Sequence, residues 1–265
     1  MDKLVLPEKL RARIGELSPS PLTDPLERAQ RDAKRMNAVP GHLTGYDCPT
    51  CLNRGVIYSV DEDGYTFARE CGCMAVRRSL ALIERSGLKS ALESCTFGSW
   101  ECQEPWQATL AEKLRQWAEH PEGWLYLSGR PGTGKTHICT AVCGELLRRG
   151  IPVRYLRWRD FSVEAKALIG DAQAYQRMVE PAKTVEVLYI DDLFKGGSVP
   201  TAGDVNLAFE IINARYSDRG LLTVFSSERT LNDLLDIDEA LGSRIRERTE
   251  NGFFDLQGKN WRLRR

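Results

Sequence analysis

Residues 129–136 read Gly-Arg-Pro-Gly-Thr-Gly-Lys-Thr and stand between an apolar strand and a helix. Gly129, Gly132 and Gly134 let the backbone turn its amides onto a phosphate, and the helix N-terminus adds a partial positive charge. Pro131 and Thr133 complete the loop, and His137 follows it on the helix. The spacing places Lys135 to reach the β- and γ-phosphates and puts the Thr136 hydroxyl on magnesium. ATP with Mg2+ is the expected ligand.

A second strand, Val187–Ile190, ends in Asp191-Asp192 about 55 residues after Lys135. A carboxylate ending an apolar strand at that distance is the expected magnesium partner, here Asp191. Asp192 can orient and deprotonate the attacking water; as a surface residue it would merely cap the next loop. Glutamate is commoner in that role, so slower hydrolysis is expected. A third strand, Leu221–Ser226, is followed by Ser227-Glu228, and Glu228 can position the water by hydrogen bond. Further on, Arg244, Arg246 and Arg248 follow a short helix. An arginine supplied across a subunit interface neutralises charge on a transferring phosphoryl group, whereas a basic face would only meet solvent.

A different chemistry is written into residues 48–73. Cys48 and Cys51 precede an extended run, a turn at 61–64 and a second extended run that ends in Cys71 and Cys73. This spacing predicts a hairpin with a cysteine pair at each open end, and four thiolates complete a tetrahedral zinc shell. A unit of about 26 residues needs such a staple because its apolar content is small. With four cysteines and no open ligand position, Zn2+ would be structural. His42 is the substitute ligand to consider, because Cys71-x-Cys73 is tighter than the usual spacing. Cys139 and Cys143 lie on the P-loop helix and read as core, while Cys95 and Cys102 show no pairing pattern.

The elements that must position these groups follow from periodicity. Residues 1–40 carry two helical stripes, Leu10, Ile14 and Leu17, then Leu26, Ala29, Ala33 and Met36 after the capping pair Asp24-Pro25. Neither helix can form a core alone, so both should dock, on their own domain or on a partner. A helix with Val76, Leu80 and Ile83 on one face follows the cysteines, and 107–119 is amphipathic through Leu110, Leu114 and Trp117. From Trp124 onward strands alternate with helices, including a helical excursion at 160–182 and a helix at 204–217. That alternation predicts an α/β fold with a parallel central sheet between helical layers. The expected division is a helical arm at 1–45, a zinc hairpin and helix at 46–86, a linker with the first helix at 87–123, and an ATPase domain at 124–265.

Thirty-seven basic and thirty-seven acidic side chains cancel, so no global field announces nucleic acid or membrane. No apolar stretch approaches the roughly 20 residues of a spanning helix, and the N-terminus has no apolar h-region. A cytoplasmic protein with reduced thiols is expected.

Taken together, the cysteine hairpin, the P-loop, Leu188-Tyr-Ile-Asp-Asp-Leu-Phe194, Glu210-Ile-Ile-Asn-Ala-Arg-Tyr216, Phe225-Ser-Ser-Glu-Arg229 and Gly242-Ser-Arg-Ile245 resemble the DnaC/DnaI-type helicase loaders of the AAA+ ATPases. The likeness runs from about Cys48 to the C-terminus and has the character of phage and mobile-element versions. It implies an ATP-hydrolysing AAA+ domain with Asp191-Asp192 as the Walker B pair, Glu228 at sensor 1 and Arg244 as arginine finger. Family members usually carry asparagine at sensor 1, so Glu228 departs from the pattern. No lid domain fits into 249–265, and Arg262 is the remaining sensor 2 candidate. The resemblance further implies that residues 1–86 grip a replicative hexameric helicase and that subunits associate through the ATPase interface. It also implies that 154–183 bind single-stranded DNA, through Arg154, Arg157, Arg159, Lys166 and Arg177 with Tyr155 and Trp158 for stacking.

Three other readings share parts of this sequence. An IstB-type transposition-assisting ATPase shares the motor but generally lacks a zinc hairpin. A small-molecule kinase would need an acceptor pocket and an arginine-rich lid, which the double aspartate and the arginine segment argue against. A module that binds ATP only to order its surface is compatible with Asp192 and Glu228.

Overall fold

The computed structural model describes residues 24–85, 89–196 and 199–263. The stripe Leu10, Ile14 and Leu17 lies outside the described residues. The chain divides into two compact units, 1–74 and 75–265.

In the first unit, helix α1 (Pro25–Ala38) opens on Asp24, whose carboxylate accepts the Leu26 amide at 3.1 Å. The expected stripe is its inward face: Ala33 is buried and Leu26, Ala29 and Met36 are half-buried. This face packs on an antiparallel hairpin, β1 (Val56–Val60) and β2 (Thr66–Glu70), paired from Val56 with Glu70 to Val60 with Thr66. Asn37 clamps helix to strand, its Nδ2 donating to the Tyr58 carbonyl at 2.8 Å and its Oδ1 accepting the Tyr58 amide at 2.9 Å. The short helix thus gains from tertiary packing the stability that its length denies it.

Helix α2 (Cys73–Arg85) carries the chain onward, with Val76 and Ile83 buried and Leu80 half-buried. Short α3 (Lys89–Ser94) and α4 (Pro105–Glu119) follow; Leu110 and Leu114 of α4 are buried. The sheet comprises β3 (Leu125–Gly129), β4 (Val153–Arg157), β5 (Val187–Leu193), β6 (Leu222–Ser227) and β7 (Phe253–Leu256). Their order is β4-β5-β6-β3-β7 and every pairing is parallel. Between them run α5 (Lys135–Arg148), α6 (Trp158–Ala167), α7 (Ala172–Thr184), α8 (Ala202–Tyr216), α9 (Leu231–Ile237) and α10 (Glu239–Arg248). The single helical excursion expected at 160–182 is therefore two helices. They part at Gly170, and the Asp171 side chain caps α7 through the Ala174 amide at 3.0 Å. Strand β7 has no counterpart in the expected layout.

β3 lies between β6 and β7, while the chain leaving it crosses to β4 at the far edge. The carboxyl ends of β3, β5 and β6 meet at this crossover, where an open parallel sheet leaves room for a ligand. Arg215 of α8 is fully buried and ties this layer together. Its guanidinium donates to the carbonyls of Ala182, Val185 and Leu222 and to Thr223 Oγ1. Burial pushes it down to about 9.

Candidate functional site

Gly134 caps α5 with φ +95°, and a Cβ there would meet the Trp100 ring at 2.6 Å, so glycine is required both by the turn and by the ring over it. His137, one turn on, donates from Nε2 to the Thr96 carbonyl (3.1 Å) and stands edge-on to Trp100 at 5.3 Å. On the other side Gly132 accepts the Trp261 amide at 3.0 Å, and a Cβ on Gly132 would collide with Asn260. The P-loop is thus held between segments 96–100 and 260–261. The side chain of Arg262 lies outside the described residues.

Lys135 is buried and its ammonium donates to the carbonyls of Gly129 (2.7 Å) and Arg130 (2.9 Å). Burial pushes this ammonium down, against the pull of the Glu228 and Asp192 carboxylates. Thr133 is fully buried, its hydroxyl returned to the Arg130 carbonyl at 2.9 Å.

Asp191 sits 4% exposed near the end of β5 and gathers hydroxyls from four elements. Thr136 donates to its Oδ1 at 3.1 Å, Tyr189 to the same oxygen at 2.9 Å and Tyr155 to Oδ2 at 3.0 Å; Ser226 donates to Oδ1 as well. Burial, with the Asp191 charge behind it, pushes both phenols up, so they stay donors. The Thr136 hydroxyl and a carboxylate held this way are the hard oxygen pair that magnesium takes.

Immediately after, β5 bulges. The register with β6 shifts between Ile190 and Leu193, and Asp192 adopts φ +56°. The Asp192 amide donates to Ser226 Oγ at 3.0 Å, and its carboxylate pairs with Lys195 at 2.7 Å. Asp192, Lys195, Glu228, Lys135, Thr136 and His137 line one cleft of about 400 Å³, together with Pro131, Gly132, Gly134, Cys95 and Trp261. The expected phosphate, magnesium and water-handling residues therefore converge. Lys195 was not among them, because its pairing depends on a left-handed turn that spacing does not reveal.

The arginines separate. Arg248 is buried, donates to the carbonyls of Tyr216, Asp218, Arg219 and Leu221 and lies over the Trp124 ring, so it is structural. Arg244 is half-buried between the rings of Phe209 (5.1 Å) and Tyr216 (5.5 Å) and donates to the Ala240 carbonyl, while Arg246 is exposed. None of the three lines the nucleotide cleft.

The expectation for 154–183 needs correcting. Tyr155 is spent on Asp191, and Trp158 is 3% exposed, packed against Phe161 and edge-on to Phe194 at 5.7 Å. Both rings belong to the core because β4 is a strand of the sheet and α6 packs against it, and neither can stack on a base. Arg157, Arg159 and Arg177 are exposed; Lys166 is paired with Asp204 at 2.7 Å.

In the first unit the sulfurs of Cys48, Cys51, Cys71 and Cys73 lie within 4.8 Å of one another, all buried. Cys48 and Cys71 are 3.8 Å apart, and Cys51 and Cys73 3.5 Å. Four sulfurs at about 2.3 Å from a tetrahedral zinc would stand about 3.8 Å apart, so the set fits. Two residues with positive φ, Leu52 and Asn53, turn the chain back so that the Gly55 amide donates to Cys51 Sγ at 3.3 Å. Burial works to raise the Cys51 thiol, but this amide and the neighbouring sulfurs bring it down to about 6. His42 is exposed and outside the cluster. Cys139 and Cys143 are buried core residues.

The chain is 29% identical over 259 residues to the phage-like element PBSX protein XkdC of Bacillus subtilis, covering 91% of this chain and 94% of that one. It is 26% identical over 191 residues to the replicative helicase loader DnaC of Escherichia coli K12, covering 69% and 73%. The crystal structure of the DnaC helicase loader superposes with a TM-score of 0.54 at 20% identity, over 64% of this chain and 99% of that one. The five-stranded parallel sheet is that of the AAA+ domains. The model of the IstB-like ATP-binding proteins matches residues 89–263, and the chain belongs to that family.

Proposed function

We propose that this chain is an ATP-hydrolysing loader that delivers a hexameric replicative helicase onto single-stranded DNA in the cytoplasm. The observation that carries the reading is the Thr136–Asp191 contact with Asp192 and Glu228 in the same cleft. It brings phosphate binding, metal binding and water activation together in one unit, while a second unit remains for a partner. In this reading Thr136 and Asp191 hold Mg2+, Lys135 holds the phosphates, and Asp192 and Glu228 orient the attacking water. The four cysteines hold one Zn2+ and fix the first unit as a rigid grip. Similarity to the DnaC loader supports the partner, and the exposed Arg157 (paired with Asp160), Arg159 and Arg177 offer guanidinium groups to a phosphate backbone without stacking rings.

The second reading is a transposition-assisting ATPase of the IstB type, favoured by the family match over 89–263. The cysteine unit lies outside that range. The full-length chain, mixed with the host helicase and a closed single-stranded circle, should deposit helicase in an ATP-dependent manner. Duplex unwinding that does not change on adding the chain, together with no helicase association, would overturn the loader reading.

A further inference from the structure

We infer that Lys195 is a γ-phosphate sensor, held on Asp192 while the site is free or holds ADP and drawn to the terminal phosphate when ATP binds. This rests on the reading of the cleft as an ATP site.

The argument begins with charge. The cleft presents the carboxylates of Asp192 and Glu228, with Asp191 behind them. Among the described residues lining it, Lys135 and Lys195 are the two ammonium groups. Lys135 is buried and folded onto the carbonyls of its own loop. A nucleoside triphosphate adds roughly one more negative charge than a diphosphate at neutral pH, at the end nearest these carboxylates. Lys195 is the group able to answer it. Its side chain is 44% exposed and its partner, the Asp192 carboxylate, 22% exposed, so the 2.7 Å pair can open toward a stronger anion.

The backbone beneath Lys195 is fixed. Asp192 and Phe194 both adopt positive φ, at +56° and +52°, a conformation that non-glycine residues keep only where the surroundings impose it. Leu193 and Phe194 are buried as anchors, and the Leu193 carbonyl accepts Ser227 Oγ at 2.7 Å. The Lys195 amide closes the turn on the Asp192 carbonyl at 3.1 Å, and Arg229 Nη2 holds the Gly196 carbonyl at 2.7 Å. A flexible ammonium on a rigid turn can exchange partners without moving the loop.

Exchange has a consequence for Asp192. Paired with Lys195, its carboxylate is occupied by the ammonium; once Lys195 turns to the γ-phosphate, that carboxylate is open to the attacking water. One side chain thus ties recognition of the third phosphate to release of the general base.

The test compares ATP and ADP affinities by calorimetry, with magnesium, for wild type, Lys195→Gln, Lys195→Arg and Lys195→Gln in an Asp192→Asn background. Lys195→Gln should lose about tenfold in ATP affinity while ADP affinity stays within about twofold. Lys195→Arg should recover most of the ATP preference. In the Asp192→Asn background Lys195 has no pair to break, so ATP should bind more tightly than to wild type, and the second substitution should remove that gain. Equal losses for ATP and ADP, or no loss for either, would overturn the sensor. Wild type that binds neither nucleotide would instead remove the ATP-site reading itself.

Discussion

Thr136 donates its hydroxyl to Asp191 Oδ1 at 3.1 Å, joining the start of the P-loop helix to the end of β5 across 55 residues of chain. The same carboxylate accepts Tyr155, Tyr189 and Ser226, so its orientation is fixed before any metal arrives. An amide at this position offers one acceptor oxygen and turns two donors toward hydroxyl hydrogens. Asp191→Asn should therefore lose about tenfold or more of the magnesium-dependent part of ATP affinity. It should also lower stability by about 1–3 kcal/mol through unpaired buried hydroxyls. Calorimetry with and without magnesium checks the first, and a urea titration the second. A variant that responds to magnesium as wild type does would take Asp191 out of the metal site.

Arg215 offers a stability prediction with a sharper sign. Its guanidinium is buried, has no carboxylate partner among the described residues, and is satisfied by backbone carbonyls from the end of α7 and from β6. Arg215→Met keeps volume but leaves those carbonyls without donors, and Arg215→Lys brings a charge that cannot fork to them. Both should destabilise the second unit by more than about 3 kcal/mol in urea denaturation. Methionine equal to wild type would mean that packing alone holds this layer.

Much of this site was legible because its signals are local. The P-loop, Asp191 at a strand end and the two cysteine pairs are each short motifs whose chemistry follows from residue type and spacing. The long-range facts were not. Trp158 reads as an exposed aromatic among arginines, and only its packing on Phe194 makes it core. Arg244, Arg246 and Arg248 look equivalent in sequence, yet Arg248 is committed to four carbonyls of the Tyr216–Leu221 turn. β7 is four residues without clear alternation, and its existence depends on the vacant edge of β3. The Lys195–Asp192 pair needs a left-handed turn that non-glycine residues rarely make.

The cysteine cluster makes a prediction about composition and folding together. Protein purified without chelator should carry one zinc per chain by elemental analysis, and Cys73→Ser should lose it while Cys102→Ser, at an exposed position, keeps it. Removing the metal should unfold residues 24–74, because only Tyr46, Ile57 and Met74 pack on the sulfurs and α1 adds one short stripe. Nucleotide binding should persist, since the cleft is built wholly from the second unit. Zinc-free protein with an unchanged circular dichroism spectrum and melting profile would make the cluster four packed thiols.

Arg244 gives the test that separates a self-contained site from a shared one. Its guanidinium lies over the rings of Phe209 and Tyr216 and donates to the Ala240 carbonyl, half-buried. It lines no part of its own nucleotide cleft, so any action on a phosphoryl group must be on a neighbour's. Arg244→Ala should bind ATP as tightly as wild type and lose about three orders of magnitude or more in turnover, the scale of a missing arginine finger. Arg246→Ala, which removes an exposed group without such support, should stay near wild type. Mixing Arg244→Ala with Lys135→Ala protein should restore part of the activity, because a head-to-tail assembly forms some interfaces with one intact finger and one intact P-loop. Turnover of wild type should rise more steeply than in proportion to protein concentration. A mixture as inactive as its components, with specific activity independent of concentration, would place the whole reaction within one chain and return Arg244 to a packing role.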